Sequence, residues 1–392
     1  MTQRKIPLSS PICCGSESEF LLECVQSGFL GSAGRFLDDL KIRIGDYLET
    51  EHVVLCGSGT SAIHLALLAN NIPKNSEVLC PSSSFIATVN PILYHGCVPI
   101  FVGLDPFFNM DLSAVLEFLN KRTFMQGSVC VNAETGRQIS AVIPVHMWGN
   151  PVEICDIKQI CDEKNIAIIE DAAEALGSSY ANRCKVGSAG SCGCISFNSN
   201  KIITGGGGGA LVTNSSEIAD RASYLAAQAK CSDFHYQHGE VGYNYRMSNL
   251  TAAVVLAQME SLDDRVTDKI RVSTIYRNRL ADCGHHLRIL DQPHGGLSNS
   301  WLPVLVLEKT VSAHRDGLVE YLAKLNVEAR PVWPKLSDNL YLSGYQSIET
   351  PGTDDLLMGG LCLPSSYKIS EVDIAFVCEA IEQWLEGILC TV

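Results

Sequence analysis

The chain has 392 residues, 46% of them hydrophobic and 18% charged, and its 29 Lys and Arg against 43 Asp and Glu give a formal net charge of −14. So acidic a balance excludes general nucleic-acid binding, which needs a basic surface, but leaves room for a local basic pocket for one anionic ligand. Apolar runs such as "AVIPVHMWG" (141–149) fall well short of the roughly 20 residues of a membrane-spanning helix. The opening "MTQRKIPLSS" lacks an apolar signal core, so the expected compartment is the cytoplasm, with no membrane partner.

The 17 cysteines are then expected to be reduced and to fill the core as small apolar groups. Cys192 and Cys194 form a C-x-C, and Cys13 and Cys14 are adjacent. Neither pair has a second pair at ligand spacing, so no metal site is expected.

In chain order, "HVVLCGSG" (52–59) reads as a short buried strand, and "TSAIHLALLANN" (60–71) as a helix from a Ser/Thr cap to about Asn70. "SEVLCPS" (76–82) predicts a strand, "SFIATVNPILYHG" (84–96) a helix closed by Gly96, and "VPIFVGLDP" (98–106) a strand. "ISAVIPVHMWG" (139–149) is a strand, "VEICDIKQICDEKN" (152–165) an amphipathic helix, and "IAIIEDAAEALGS" (166–178) a strand followed by a loop. This strand–helix rhythm predicts an α/β domain with a mostly parallel sheet. One long helical stretch follows over 249–284. Then come a strand "SWLPVLVLE", a helix "HRDGLVEYLAKLN", a strand "VEARPVWP" and a closing helix over 370–389. The predicted division is a large α/β domain over 1–255 and a smaller α+β domain over 256–392.

Ligands of parallel sheets sit beyond the carboxyl ends of the strands. Ser58 to Ser61, Ser82 to Phe85, His146, Trp148 and Asp171 all fall there. In "CGSGTSAIHLALL" small residues run into a helix N-terminus, whose free N–H groups and dipole suit an anion; an ordinary N-cap reads equally well. It is not a P-loop, since the G-K-[ST] ending is missing. Asp171, in an acidic pair directly after the four-residue apolar strand "IAII", could keep a proton on a heteroaromatic nitrogen or bind a metal, or simply be a loop carboxylate that caps a helix. In "SFNSNKIITGGGGGALVT" (196–213) apolar β-type residues flank the glycines, which favours close backbone approach over a flexible linker. Lys201 alone reads as a surface charge.

Together these parts make a constellation: an anion-binding helix end, the aromatic Phe85, a strand-end Asp and a lysine before a glycine run. A pyridoxal 5′-phosphate site needs that set. The sequence resembles the DegT-type sugar-nucleotide aminotransferases, enzymes of the aspartate aminotransferase-like fold (fold type I). The resemblance is carried by "SGTSAIHLAL", "PSSSFIATVNPILYHGCVPIFVGLDP", "IPVHMWGNPVEICDI", "IIEDAAEALGSSY", "SFNSNKIITGGGGGALVT", "GYNYRMSNLTAAVVLAQME", "ARPVWPKL" and "LCLPSS". It covers nearly the whole chain.

The resemblance implies that Lys201 is the Schiff-base lysine and proton shuttle, that Asp171 pairs with the pyridine nitrogen and that Phe85 stacks on the ring. Gly59, Thr60, Ser61 and Ser196 would hold the phosphate. Asn244 would reach the cofactor of the partner subunit, making a homodimer with shared sites. Glu174 stands where many relatives have Gln, near the cofactor's phenolic oxygen or the sugar, and Gly103 where an Asp is usual. Ser32, Arg35, Arg246, Arg330 and Trp333 are implied sugar-nucleotide contacts, while His146 and Trp148 read as packing or supporting residues. The resemblance is closest to the branch that aminates 4-keto-6-deoxy nucleotide sugars, the bacillosamine and legionaminic acid type. It implies L-glutamate as donor, 2-oxoglutarate as product, pyridoxamine phosphate as the aminated cofactor, and UDP-2-acetamido-2,6-dideoxyhexos-4-ulose as acceptor. A C3-keto acceptor, a sugar dehydratase on the same fold and a non-catalytic regulator are the alternatives. The dehydratases carry His in place of the lysine, which Lys201 argues against.

Overall fold

The computed structural model describes residues 5–13, 15–232, 234–292 and 295–390; Cys14 lies outside them. Eight strands form the main sheet: β1 (His52–Cys56), β2 (Glu77–Pro81), β3 (Val98–Val102), β4 (Ile139–Val142), β5 (Ala167–Asp171), β6 (Cys192–Ser196), β7 (Gly209–Thr213) and β8 (Ser347–Ile348). Their spatial order is β1-β7-β6-β5-β4-β2-β3-β8. Only β7 runs against its neighbours; the others are parallel. A second sheet of four antiparallel strands, in the order Leu287–Ile289, Val304–Leu307, Gly360–Cys362, Arg330–Pro331, packs with the helices Arg315–Lys324 and Glu371–Leu389 around Leu305, Leu318, Leu322, Leu361, Val377 and Ile381. Residue 255, the expected divide, lies inside the helix Asn249–Met259. β8, from the C-terminal part of the chain, returns to the main sheet.

The main sheet is buried on both faces, which is why its strands read as apolar runs rather than alternating ones. The helix Gly59–Ala69 covers one face with Ala62, Ile63, Leu65 and Ala66, packed among Cys80, Ile169, Cys192, Cys194 and Leu211. Burial in that layer pushes the Cys192 thiol up to about 12. Not all cysteines fill the core, however: Cys13, Cys155, Cys184, Cys231 and Cys390 are exposed.

Two predicted helices differ from the structure. The helix expected over 84–96 is confined to Asn90–His95, with Pro91 in its first turn. Proline suits the first turn of a helix, where its missing N–H would have no partner, so Pro91 marks a helix start, and residues 84–89 form a loop beyond the end of β2. The long helical stretch is two helices, Asn249–Met259 and Leu262–Arg279, separated at Glu260 and Ser261.

The departure at Gly103 has a steric reason. A Cβ there would lie 2.1 Å from Thr350 Oγ1, in the segment that follows β8, so a side chain at 103 would displace the edge of the sheet. The glycine run is the turn between β6 and β7. Gly208 has φ +100°, and a Cβ on Gly209 would lie 2.5 Å from the carbonyl carbon and oxygen of Ser58. Backbone meets backbone there, so nothing can yield. Gly209→Ala is expected to cost about 1–3 kcal/mol of stability. Gly207→Ala, with no atom within 4 Å of its Cβ, should stay within about 0.5 kcal/mol. Chemical denaturation of both variants checks this, and equal losses would contradict the close-approach account.

Lys269, on the helix Leu262–Arg279, is 4% exposed. Its Nζ donates to the Trp301 carbonyl (3.0 Å), to Ser365 Oγ (2.9 Å) and to the Ser365 carbonyl. Burial pushes its pKa down to about 7. Between that value and the ordinary ~10.4, the unfolded chain holds a proton that the folded chain does not. Stability therefore rises with pH across that window. Lys269→Met should remove this contribution, so the wild type gains on the variant as the pH is raised from neutrality. Stability measured along that pH series checks the sign; a constant difference would contradict it.

Candidate active site

The carboxyl ends of β1, β2, β5 and β6 open onto a cavity of about 600 Å³ that also reaches the second sheet. Asp171, Phe85, Gly59, Thr60, Ser196, Glu174, Lys201, Arg330 and Trp333 all line it. Ser61, Ser32, Arg35, Asn244 and Arg246 do not.

At the floor, Asp171 is 3% exposed. Its Oδ2 accepts from the Thr88 hydroxyl (2.7 Å) and its Oδ1 from the Ala173 N–H (3.2 Å). Burial pushes its carboxyl up, and Thr88, Ala173 and Lys201 pull it back. A cation arriving at this carboxylate would offset the desolvation that opposes its charge. Glu170, next along β5, faces the other way. Its carboxylate accepts from the N–H groups of Gly187, Ala189 and Gly190 and from Tyr180. His146 Nε2 stands 3.2 Å from it. His146 Nδ1 accepts from the Val152 N–H, so the ring proton sits on Nε2, toward Glu170. Glu170 and His146 thus brace the loop behind the site.

The helix Gly59–Ala69 begins at the cavity. Ser58 caps it, with its Oγ accepting from the Ser61 N–H (3.0 Å). Ser61 Oγ also bonds Ser58 Oγ (2.7 Å), so Ser61 is engaged in the cap, and Ser58 stands on the cavity wall instead. The Ala62 N–H bonds the Ser58 carbonyl, and the Thr60 N–H has no hydrogen-bond partner among the described residues. A Cβ on Gly59 would lie 3.2 Å from Ser196 Oγ, so the helix end and that hydroxyl are close together. This is an anion cradle: a helix N-terminus with an unclaimed donor and a serine hydroxyl beside it.

Lys201 Nζ lies 3.3 Å from Glu174 Oε1 and 4.3 Å above the Trp301 ring. The other oxygen of Glu174 accepts from the Trp148 N–H (3.0 Å). Trp148 adopts φ +57°, a conformation uncommon for a bulky residue, and the carboxylate helps to hold it. Burial raises the Glu174 carboxyl and the Lys201 ammonium lowers it. An aromatic wall rises beside the pair. Trp148 stacks on Trp333 (4.4 Å, 13°) and on Trp301 (6.1 Å, 10°), and Phe85 lies 5.9 Å from Trp333. Phe85 is 51% exposed, so its ring is open to a flat ligand.

Trp148, which falls at a strand's carboxyl end and reads from sequence as a packing or supporting residue, lines the cavity. Thr88 and Trp301 were missed altogether. Thr88, three residues after Phe85 in a segment taken for helix, carried no signal of its own. Neither did a lone Trp before a strand. Ser32 and Arg35 lie at the start of the helix Arg35–Leu48, with the Arg35 guanidinium bonded to Glu23 and Asp39. Asn244 and Arg246 are exposed on a loop whose Tyr245 carbonyl accepts from the Gly57 N–H (2.7 Å). Among the described residues no group of three or more His, Cys, Asp or Glu is placed to hold a metal ion, and no helix is long and apolar enough to cross a membrane.

A buried carboxylate, an anion cradle and a shielded lysine around one apolar-walled cavity fit pyridoxal phosphate, and define a fold type I enzyme of amino-group chemistry. Residues 14–382 match the DegT/DnrJ/EryC1/StrS aminotransferase family. The chain is 36% identical to EpsN of Bacillus subtilis, named for pyridoxal phosphate-dependent aminotransfer, over 96% of this chain and 95% of that one. It is 33% identical to the GDP-perosamine synthase of Caulobacter vibrioides, over 97% and 98%. A solved DegT DnrJ EryC1 StrS aminotransferase from Brucella abortus superposes with a TM-score of 0.84 at 26% identity, over 94% of this chain and 95% of the other. The chain belongs to the DegT/DnrJ/EryC1/StrS family. It is a pyridoxal phosphate-dependent sugar aminotransferase of fold type I.

Thr88→Val removes the hydroxyl on Asp171 and leaves a buried carboxylate short of a partner. A hydrogen bond to a charged group is worth about 1.5–3 kcal/mol, so pyridoxal phosphate should bind the variant roughly tenfold more weakly or worse. Equilibrium titration of the apoprotein measures this, and unchanged affinity would contradict the role given to Thr88.

Proposed function

We propose that the enzyme moves an amino group from L-glutamate to the C4 keto carbon of a nucleotide-linked 4-keto-6-deoxyhexose. The products are 2-oxoglutarate and a 4-amino-4,6-dideoxy sugar for surface glycan, O-antigen or lipopolysaccharide synthesis, made in the cytoplasm. The observation that carries the reading is the convergence of Lys201, Asp171 and the Gly59–Ser196 cradle on one cavity. Relatives named for GDP-perosamine, a 4-amino sugar, support the C4 position.

Each residue then has one task. Bound pyridoxal phosphate supplies an electron sink for the carbon that loses its proton. The Lys201 amine would hold the cofactor between turnovers and, once free, would carry the proton that the donor's α-carbon gives up. Asp171 would hold a proton on the ring nitrogen, and Phe85 would offer its open ring to the cofactor. The Thr60 N–H and the Ser196 hydroxyl would bind the phosphate. Glu174 keeps the Lys201 ammonium in place and fixes the Trp148 turn. Arg330 and Trp333 are the sugar-nucleotide contacts on this chain's own wall. Ser32, Arg35, Asn244 and Arg246 are assigned to a homodimer, in which Asn244 reaches the partner's cofactor. Their position off this chain's cavity wall supports that assignment, as do the exposed apolar side chains of Phe29, Leu30, Phe234, Tyr236 and Val241. The domain division near residue 255 belongs to the same proposal, supported by the separate second sheet.

A C3-keto acceptor is the second reading, favoured by one observation: a relative in Acidithiobacillus ferrooxidans, 31% identical over 91% of this chain, is named as a UDP-N-acetyl-3-dehydro-alpha-D-glucosamine 3-aminotransferase. The test loads the protein with cofactor, bleaches its visible band with L-glutamate, and offers the aminated enzyme UDP-, GDP- and dTDP-linked 4-keto sugars beside a 3-keto sugar. The expected result is bleaching by glutamate and return of the band with a 4-keto-6-deoxy compound, the UDP-linked 2-acetamido form first in line. Return only with the 3-keto sugar would move the acceptor to C3, and no bleaching would refute glutamate as donor.

A further inference from the structure

We propose that Trp301 is a positioning residue for Lys201, and that the segment Asn299–Trp301 sets both members of the Lys201–Glu174 pair. The proposal rests on reading Lys201 as the cofactor lysine. Trp301 is 1% exposed, and all its polar groups are used. Its indole N–H donates to the carbonyl of Asn200 (2.8 Å), the residue directly before Lys201. Its backbone N–H donates to Asn299 Oδ1 (2.9 Å), and its carbonyl accepts from Lys269 (3.0 Å). The ring itself lies 4.3 Å beneath Lys201 Nζ. One side chain thus fixes the backbone that carries the lysine and presents a π face to the ammonium at its tip.

The same segment reaches the anion of the pair. Asn299 Nδ2 donates to the carbonyls of Glu174 and Leu176, each at 2.9 Å, and the Asn299 N–H donates to Ser178 Oγ (2.9 Å). The loop carrying Glu174 and the loop carrying Lys201 come from different strands of the main sheet, and they meet through three consecutive residues that enter the second sheet. Lys269 and Ser365 hold the far side of that bridge. A cation over an indole face is favoured electrostatically, more so where water is excluded. The ring also occupies one side of the Lys201 amine, so an approaching electrophile is confined to the other.

If the tryptophan acted only as apolar filling, the phenylalanine and leucine variants would label Lys201 alike. The apoprotein is therefore labelled with a limiting amount of acetic anhydride, and the lysine peptides are counted by mass spectrometry, with exposed Lys41 as internal standard. Trp301→Leu should label Lys201 about threefold faster or more, relative to Lys41, because the ring that covers one side of the amine and attracts its charge is gone. Trp301→Phe keeps a face and should label close to wild type. In the loaded enzyme, Trp301→Leu should lower kcat roughly tenfold while leaving the KM for glutamate nearly unchanged, because a misplaced proton shuttle costs rate rather than binding. Should the leucine variant fail to fold, Trp301→Met serves in its place. Lys201 labelling in the leucine or methionine variant equal to wild type, or equal in the phenylalanine and leucine variants, would overturn the proposal. An error in the reading of Lys201 itself would show separately, as a Lys201→Ala protein that still takes up pyridoxal phosphate covalently.

Discussion

The site depends on one backbone contact. The chain leaves β6, carries Lys201 across the carboxyl ends of the parallel strands, and turns back as β7. That return is possible because Gly209 lies against the Ser58 carbonyl with no room for a side chain. The contact joins the cap of the helix Gly59–Ala69 to the end of the lysine loop. It also sets β7 antiparallel between β1 and β6, so the β1 end and the β6 end face the same cavity. Helix N-terminus, Ser196 and Lys201 are neighbours because of it.

Electrostatics then sort three buried acids with similar surroundings into three roles. Glu170 accepts from three backbone N–H groups and from Tyr180. Although burial opposes its charge, those donors and His146 hold it below the ordinary range; it is saturated and serves as an anchor. Among the described residues the Asp171 carboxylate accepts only from Thr88 and Ala173; it stays raised by burial, and so has capacity for a further proton donor. Glu174 is shared between a lysine ammonium and the Trp148 N–H. Strand alternation separates Glu170 from Asp171, and the number of available donors does the rest.

Much of this was legible in the sequence. Period and punctuation placed the α/β rhythm, and the residue types at strand ends marked Asp171, Phe85 and Thr60, beside which Lys201, a surface charge when read alone, stood out; the fold brings all four to one cavity. Three things were not legible. The direction of β7 and the return of β8 to the main sheet depend on pairing between distant segments, which local pattern does not encode. The loop at 84–89 was masked by an apolar run that ended at Pro91, so Thr88 was hidden in an expected helix. Trp148 and Trp301 are ordinary buried aromatics by pattern. Their place at the site comes from the positive φ of one and from the hydrogen bonds of the other, which only the assembled structure reveals.

The central claim is that Lys201 is the residue that holds pyridoxal phosphate. Borohydride reduction of the cofactor-loaded protein, followed by peptide mass spectrometry, tests it directly. The account predicts a single phosphopyridoxyl group on the peptide containing Lys201. The same group on a different lysine, or none after reduction of a coloured protein, would contradict it.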